Sequence, residues 1–391
     1  IAVPLSSRVV LSLSCCRHVV ASSPSRRRSA DVPLQSRCAL AVPNRIRGSA
    51  MNVRSLGALA LSCAAAWGLA SHAVNAQTSV TLYGLVGLDI ASTKRSNGPS
   101  AAIAEQSPGL TAPYWGIRVN EELGAGYRVI AVLESFFQPT NGGIGRTAAD
   151  PFWGRNSYVG IAGPFGRVTL GRHTNLLYLA EQAVNPFQAS ILFSPLVMQT
   201  FTAPYGGALA GDTVWNNGIQ YTSPNLNGLT TTAVYAPGGF AGANGTYNAA
   251  LSTLYAGGSL TAVATVQRTR VVAGVASPTQ NAYLVGAAYD FSLFKLYGAL
   301  QGLRTDAADI GAHTYEAGLS VPLTSQLSAL AEWSYTRRSA PKSAVTGRNT
   351  GSAGLDYFLS KRTDLYLVTV YDKLSGSGTA MTYAAGIRHL F

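Results

Sequence analysis

Thr382-Tyr-Ala-Ala-Gly-Ile-Arg-His-Leu-Phe391 is an alternating segment at the carboxy-terminal end of the sequence. Successive side chains of an extended chain point to opposite sides. Tyr383, Ala385, Ile387 and His389 therefore share the face of Phe391, and Arg388 takes the other. A strand in a soluble sandwich would normally lead into a turn or a tail, whereas this one runs to an aromatic terminus. The expectation is a strand that closes a sheet.

The same period of two recurs upstream. Val80, Leu82, Val86, Leu88 and Ile90 oppose Thr81, Tyr83, Gly87 and Asp89. Tyr283, Val285, Ala287, Tyr289 and Phe291 oppose Gly286 and Asp290, and Phe294, Leu296 and Leu300 oppose Lys295, Tyr297 and Gln301. Leu327, Ala329, Ala331, Trp333 and Tyr335 oppose Ser328, Glu332, Ser334 and Thr336. Sixteen strands are expected, over 80–91, 114–123, 127–138, 153–163, 166–173, 215–223, 229–236, 248–257, 260–269, 281–291, 294–304, 313–321, 325–337, 347–359, 363–374 and 382–391. No apolar run reaches the 18 or more residues of a spanning helix.

One wet and one dry face would suit a sandwich as well. Link lengths separate the two. Tight connections such as Gly124-Ala-Gly126, Pro164-Phe165, Gly258-Ser259 and Ser292-Leu293 alternate with longer ones over 92–113, 139–152, 174–214, 237–247, 270–280, 305–312, 338–346 and 375–381. Short turns at one end and long loops at the other describe an all-β, antiparallel, up-and-down transmembrane barrel with an even strand number. The 174–214 link exceeds ordinary loop lengths and is expected to be functional.

The amino-terminal side fits export. Met51-Asn-Val-Arg54 supplies a short positive segment, Leu56 to Leu69 an apolar run, and Ala73-Val-Asn-Ala76 a small-residue cleavage site, so 51–76 reads as a signal peptide. Residues 1–50, rich in Arg, Ser and Pro, read as a non-native leader upstream of Met51, and 77–391 as the mature barrel. Cys63 raises a lipoprotein alternative, which the better site at Ala76 outweighs. Cys15, Cys16, Cys38 and Cys63 all precede Gln77, so no disulfide is expected. Nine of the 29 Lys and Arg and one of the 17 acids also precede it, leaving 20 against 16 and a net charge of +4. That balance gives no reason to expect nucleic acid as a partner.

Ordered motifs then carry a resemblance. They are Val80-Thr-Leu-Tyr-Gly84 with Asp89, Arg155-Asn-Ser-Tyr-Val-Gly-Ile161, Gly163-Pro-Phe-Gly166 leading to Gly171-Arg172, Arg362-Thr-Asp-Leu-Tyr366, and Gly386-Ile-Arg-His389 with Phe391. This set resembles the general porins of the Gram-negative outer membrane, over the whole span from Val80 to Phe391. The resemblance implies a third long loop folded into the lumen and three barrels in a homotrimer. It implies outer-membrane lipid as surround, and a terminal Phe391 that serves as a signal to the barrel-assembly machinery. The family's third loop often has an acidic, Gly-rich tip. Here 174–214 is mostly Pro, Phe and Ala, with Glu181 and Asp212 as its acids.

An open pore selects by charge across its narrowest section. The candidate basic residues are Arg118, Arg155, Arg167 and Arg172, facing Glu181 and Asp212. Arg118 opposes Ile117 and Val119, and Arg167 opposes Val168 and Leu170. Arg155 shares parity with Val159 and Ile161, so a lumenal position requires a bulge. The alternative is that these arginines are barrel-end charges at the headgroup level. Facing lipid at mid-depth would cost about 2–4 kcal/mol each. A serine hydrolase needs a base near its nucleophile, but His173, His313 and His389 are scattered and none of the familiar catalytic or phosphate-binding motifs occurs. The expectation is a non-enzymatic channel without metal or cofactor, passing ions and small hydrophilic solutes. A substrate-selective channel and a surface-adhesion barrel are the alternatives.

Overall fold

A computed structural model describes residues 78–391 apart from 96–97, 99–100, 202–208, 240–244, 307–308 and 342–343. The leader, the signal peptide and the cleavage after Ala76 lie outside the described residues. The first nine strands are β1 (Thr78–Lys94), β2 (Ala102–Gln106), β3 (Tyr114–Gly124), β4 (Tyr127–Gln138), β5 (Gly143–Ile144), β6 (Ser157–Gly163), β7 (Gly166–Thr174), β8 (Val214–Thr222) and β9 (Leu229–Pro237). The rest are β10 (Tyr247–Gly257), β11 (Leu260–Val272), β12 (Val275–Asp290), β13 (Lys295–Thr305), β14 (Ile310–Pro322), β15 (Leu327–Ser339), β16 (Thr346–Ser360), β17 (Thr363–Leu374) and β18 (Thr379–Leu390).

Every pairing is antiparallel, between strands that follow one another in the chain or are separated only by the short β2 or β5, and β18 returns to β1. Of the 18 strands, β2 and β5 are short additions, which leaves sixteen in the closed barrel. β1 is the seam. Its first half, Thr78–Leu85, pairs with β3, and its second half, Leu85–Lys94, pairs with β18. Where β3 has ended, β2 takes over opposite Asp89–Thr93. Among the described residues closure gives each barrel strand a paired neighbour on both sides, which is the condition for a sheet in hydrocarbon.

Burial along the strands is inverted relative to a water-soluble sheet. Val80, Leu82, Ile90, Val285, Leu300 and Leu367 are each more than half exposed, while Asp89, Gln301, Glu332 and Ser334 on the alternate positions are buried. Sixteen strands with this pattern expose a continuous apolar face far larger than a monomeric soluble protein carries. A lipid surround accounts for it.

Besides the short strands β2 and β5, which lie within the expected 92–113 and 139–152 loops, two links differ from expectation. The 270–280 loop is a hairpin that carries β11 and β12 on to Val272 and Val275. Ala273 and Gly274 form its tip with φ of 49° and 78°, and a two-residue turn with both φ positive matches strand twist. The 174–214 link contains two helices, α1 (Leu176–Ala183) and α2 (Pro195–Phe201). Asn175 caps α1 by accepting from Leu177 N at 2.8 Å.

Candidate functional site

The segment 175–213 is fastened to the polar face of the sheet. Ser194 Oγ and Leu196 N both donate to Glu332 Oε1, at 3.0 and 2.9 Å. Gln199 Nε2 donates to Ser334 O at 2.9 Å and Thr350 Oγ1 at 2.8 Å, and Thr200 Oγ1 to Gln301 Oε1 at 3.1 Å. Apolar contacts complete the attachment. Leu177, Val184 and Leu196 pack with Val263, Leu284 and Leu303, and Phe187 and Phe193 with Tyr366 and Val368. These contacts run along β11–β17 and leave the polar face of β3–β7 uncovered by them. Burying several large apolar side chains at about 1.5–3 kcal/mol each makes the attachment stable.

On β3–β7 the sequence-predicted arginines take different places. Arg118 is exposed on the polar face, opposite Thr81, with its guanidinium 4.7 Å from the centre of the Tyr83 ring. Arg167 is exposed on the same parity as buried Thr169. Neither makes an ion pair among the described residues. Arg155 lies just before β6, where Glu134 N donates to Asn156 O at 2.7 Å and Arg155 N to Glu134 O at 3.2 Å. Two residues thus oppose one, which is a β-bulge, and the bulge turns Arg155 to the polar face. There it pairs with Glu134 and lies 4.0 Å from the centre of the Tyr114 ring. Tyr83 Oη and Asn156 Nδ2 also donate to Glu134, both at 2.6 Å.

Arg172 joins a different group at the strand end. Its Nε donates to Gly154 O at 2.8 Å, and Asn216 accepts from Nη1. Asp212 lies 4.0 Å away and is gripped by Arg146, whose two terminal nitrogens reach it at 2.7 and 2.6 Å. Arg146 also holds Asp150 at 2.8 Å. Burial alone would raise both carboxyls, but hydrogen bonds and charge from Arg146 hold Asp212 and Asp150 below the usual range. Arg146 therefore ties the 139–152 loop to the base of the 175–213 segment.

Glu181 is fully buried, and among the described residues no group stands within close hydrogen-bond geometry of either carboxyl oxygen, Thr200 and Gln301 being its nearest polar neighbours. Burial pushes it well above the usual carboxylate range, with Thr200 and Gln301 opposing and the nearby Glu332 reinforcing the shift. The two acids of the long segment are thus withdrawn, one by burial and one by pairing. His173 is also buried, stacked on Tyr158 at 5.0 Å and hydrogen-bonded to Thr169 Oγ1 at 2.8 Å.

Sequence reasoning missed Glu134, Arg146, Asp150, the buried pair Arg348–Asp372 at 2.9 Å and the half-buried pair Arg388–Asp364 at 2.5 Å. The polar-face parity of Asp364 and Arg388 was a readable signal for the last pair. Nothing local could have matched Arg146 with Asp212.

A family model described as Gram-negative porin matches residues 58–377. An outer membrane porin protein of Bordetella pertussis is 26% identical over 386 residues, covering 82% of this chain and 96% of that protein. An anion-selective porin from Comamonas acidovorans has the same fold, with a TM-score of 0.68 at 24% identity over 81% of this chain and 100% of that one. The trimer form of OmpT from Vibrio cholerae gives 0.60 at 12% identity over 80% and 99%. A closed sixteen-stranded barrel with its apolar side chains outermost and the Glu134–Arg155, Arg348–Asp372 and Arg388–Asp364 pairs on the other face agrees with that family match. The chain belongs to the Gram-negative porin family and is a passive diffusion channel of the outer membrane.

Proposed function

We propose that the polar face encloses a water-filled lumen, that the 175–213 segment narrows it, and that the remaining aperture prefers anions weakly. The observation that carries this is an imbalance. Arg118 and Arg167 are exposed on the polar face with no ion pair among the described residues, whereas Glu181 is buried and Asp212 is held by Arg146. Arg155 adds little charge, because Glu134 neutralises it. A positive local potential concentrates anions in the pore and salt screens it. The name of the Comamonas relative, an anion-selective porin, points the same way.

Flux through such a lumen is passive and takes ions and small hydrophilic solutes. Family and fold support a non-enzymatic channel. A homotrimer is proposed from the family resemblance and the trimeric Vibrio structure, and Phe391 is proposed as the signal read by the barrel-assembly machinery. Purified full-length protein in planar bilayers should open in steps of three equal, ohmic conductances, scaling with salt. Protein that inserts without a steady open conductance would overturn the channel reading.

A further inference from the structure

The polar face of β1, β2, β17 and β18 is hollowed by small side chains. Register sets two rows across these four strands. Ala102, Thr93, Thr382 and Val370 form one row, and Ala104, Ala91, Ala384 and Val368 form the next. With strands about 4.8 Å apart, each row is roughly 14 Å wide. Elsewhere the polar face carries much longer side chains, among them Gln301, Glu316, Glu332 and Arg348.

A recess of about 620 Å³ occupies the space that longer side chains would fill. The 175–213 segment closes one side of it with Leu192, Phe193 and Met198, and Val370 continues the apolar surface on the wall. Small-molecule sites run from about 300 to 1,000 Å³ and are mostly apolar with a few placed polar groups. This recess has that character.

Its polar groups leave one positive charge. Arg95, just past the end of β1, lines the recess, is exposed, and makes no ion pair among the described residues. The Arg95 carbonyl accepts from Gly98 N at 3.2 Å. Asp372 is the acid of the lining, but Arg348 grips both of its oxygens, at 3.0 and 2.9 Å, and Thr350 Oγ1 donates to it at 2.8 Å. Thr382 Oγ1 donates to Thr93 Oγ1 at 3.4 Å, which leaves the Thr93 hydroxyl its own hydrogen to donate.

These features select a ligand class. An inorganic anion would meet Arg95 but gain nothing from the apolar side. A neutral apolar molecule would leave the guanidinium unanswered. A dicarboxylate would set its second charge against Leu192 and Met198, where desolvation is costly. A monocarboxylate with one ring or a branched alkyl body satisfies both parts, its two oxygens on the guanidinium fork and its body on the apolar side.

We propose that this recess binds small monocarboxylates with an apolar body. Arg95 and Thr93 hold the carboxylate, and Leu192, Met198 and Val370 receive the body. The site rests on the reading of the polar face as a water-filled lumen, through which such anions would reach it.

Saturation-transfer NMR on the purified full-length protein in detergent, with protein-free micelles as the blank, tests this with benzoate, acetate and benzamide. The parent should bind benzoate at least about tenfold more tightly than acetate, which lacks the ring, and than benzamide, which lacks the charge. Ala104→Trp fills the recess and should weaken benzoate binding by at least about tenfold. Arg95→Gln should bring benzoate down to the level of benzamide. Both positions are exposed, and a steady open conductance of each variant in potassium chloride shows that its barrel is folded. Should Ala104→Trp not fold, Arg95→Gln carries the test. Equal binding of benzoate and either other probe by the parent, or benzoate binding that neither variant weakens, would overturn the proposal. A protein that binds benzoate as described but shows no steady open conductance would keep this site and overturn the lumen reading instead.

Discussion

Phe391 and Gly84 exchange both backbone hydrogen bonds, Gly84 N to Phe391 O at 3.2 Å and Phe391 N to Gly84 O at 3.1 Å, and the Phe391 ring covers Gly84 where a Cβ would otherwise stand. The last residue of the chain thus completes the seam against the first strand. Backbone groups left open in lipid cost several kcal/mol each. Deleting Phe391 or replacing it with Asp is expected to reduce inserted barrel roughly tenfold or more. The heat-modifiable, trimeric fraction of outer membranes is the readout. Equal amounts from parent and variant would contradict the role given to this contact.

The Glu134–Arg155 pair sits beside the exposed Arg118. Glu134→Gln removes the neutralising charge and should raise anion preference, whereas Arg155→Ser should shift the channel towards cations. Arg155 is partly exposed, so the thermal penalty of either change is about 1–3 kcal/mol, less than for a fully buried pair. Reversal potentials of the two variants should move in opposite directions. Movement in the same direction would show that the pair does not face the permeation path.

Glu332 anchors the long segment through Ser194 Oγ and Leu196 N. Glu332→Ala should remove both bonds, at about 1–3 kcal/mol, and loosen α2 from the wall. Larger and noisier single-channel current is expected, together with faster proteolysis within 175–213. Unchanged current noise would mean that the apolar contacts of Leu196 and Phe193 suffice on their own.

Glu181 gives the segment a pH dependence of definite sign. Its folded-state value is raised by burial, with Glu332, Thr200 and Gln301 as its neighbours. The stability it contributes is complete below the ordinary carboxylate range, about 4.3, and is lost as pH rises through the raised value. Attachment should therefore weaken as pH rises, and Glu181→Gln, which cannot ionise, should flatten that contribution. Proteolysis rates of the segment against pH provide the comparison. A variant that loosens with pH as steeply as the parent would assign the effect to other groups.

What could be read in advance followed from period. Val80, Leu82 and Ile90 alternate with Tyr83 and Asp89 because each strand has lipid on one side, and lipid enforces alternation as firmly as a core does. Where periodicity broke, so did legibility. The bulge at Arg155–Asn156 inverts parity over one residue, and only its consequence, a polar-face arginine, could be required beforehand. The Ala273–Gly274 hairpin is hidden in the sequence because 270–280 has no apolar alternation to extend the strands on either side. The Arg146–Asp212 contact joins two loops, where no repeat fixes the register. The burial of Glu181 depends on what α1 packs against, and the composition of the segment does not reveal that.

Selectivity tests the account most directly. Arg118→Ser/Arg167→Ser should be compared with the parent by reversal potential in a salt gradient, at low and at high ionic strength. One exposed charge acting over about 10 Å in water is worth ~0.4 kcal/mol, roughly a factor of two in the permeability ratio. The account predicts weak anion preference in the parent, fading in concentrated salt, and a shift towards cations in the variant of about that size for each charge removed. A parent channel that already prefers cations, or a variant whose reversal potential does not move, would contradict it.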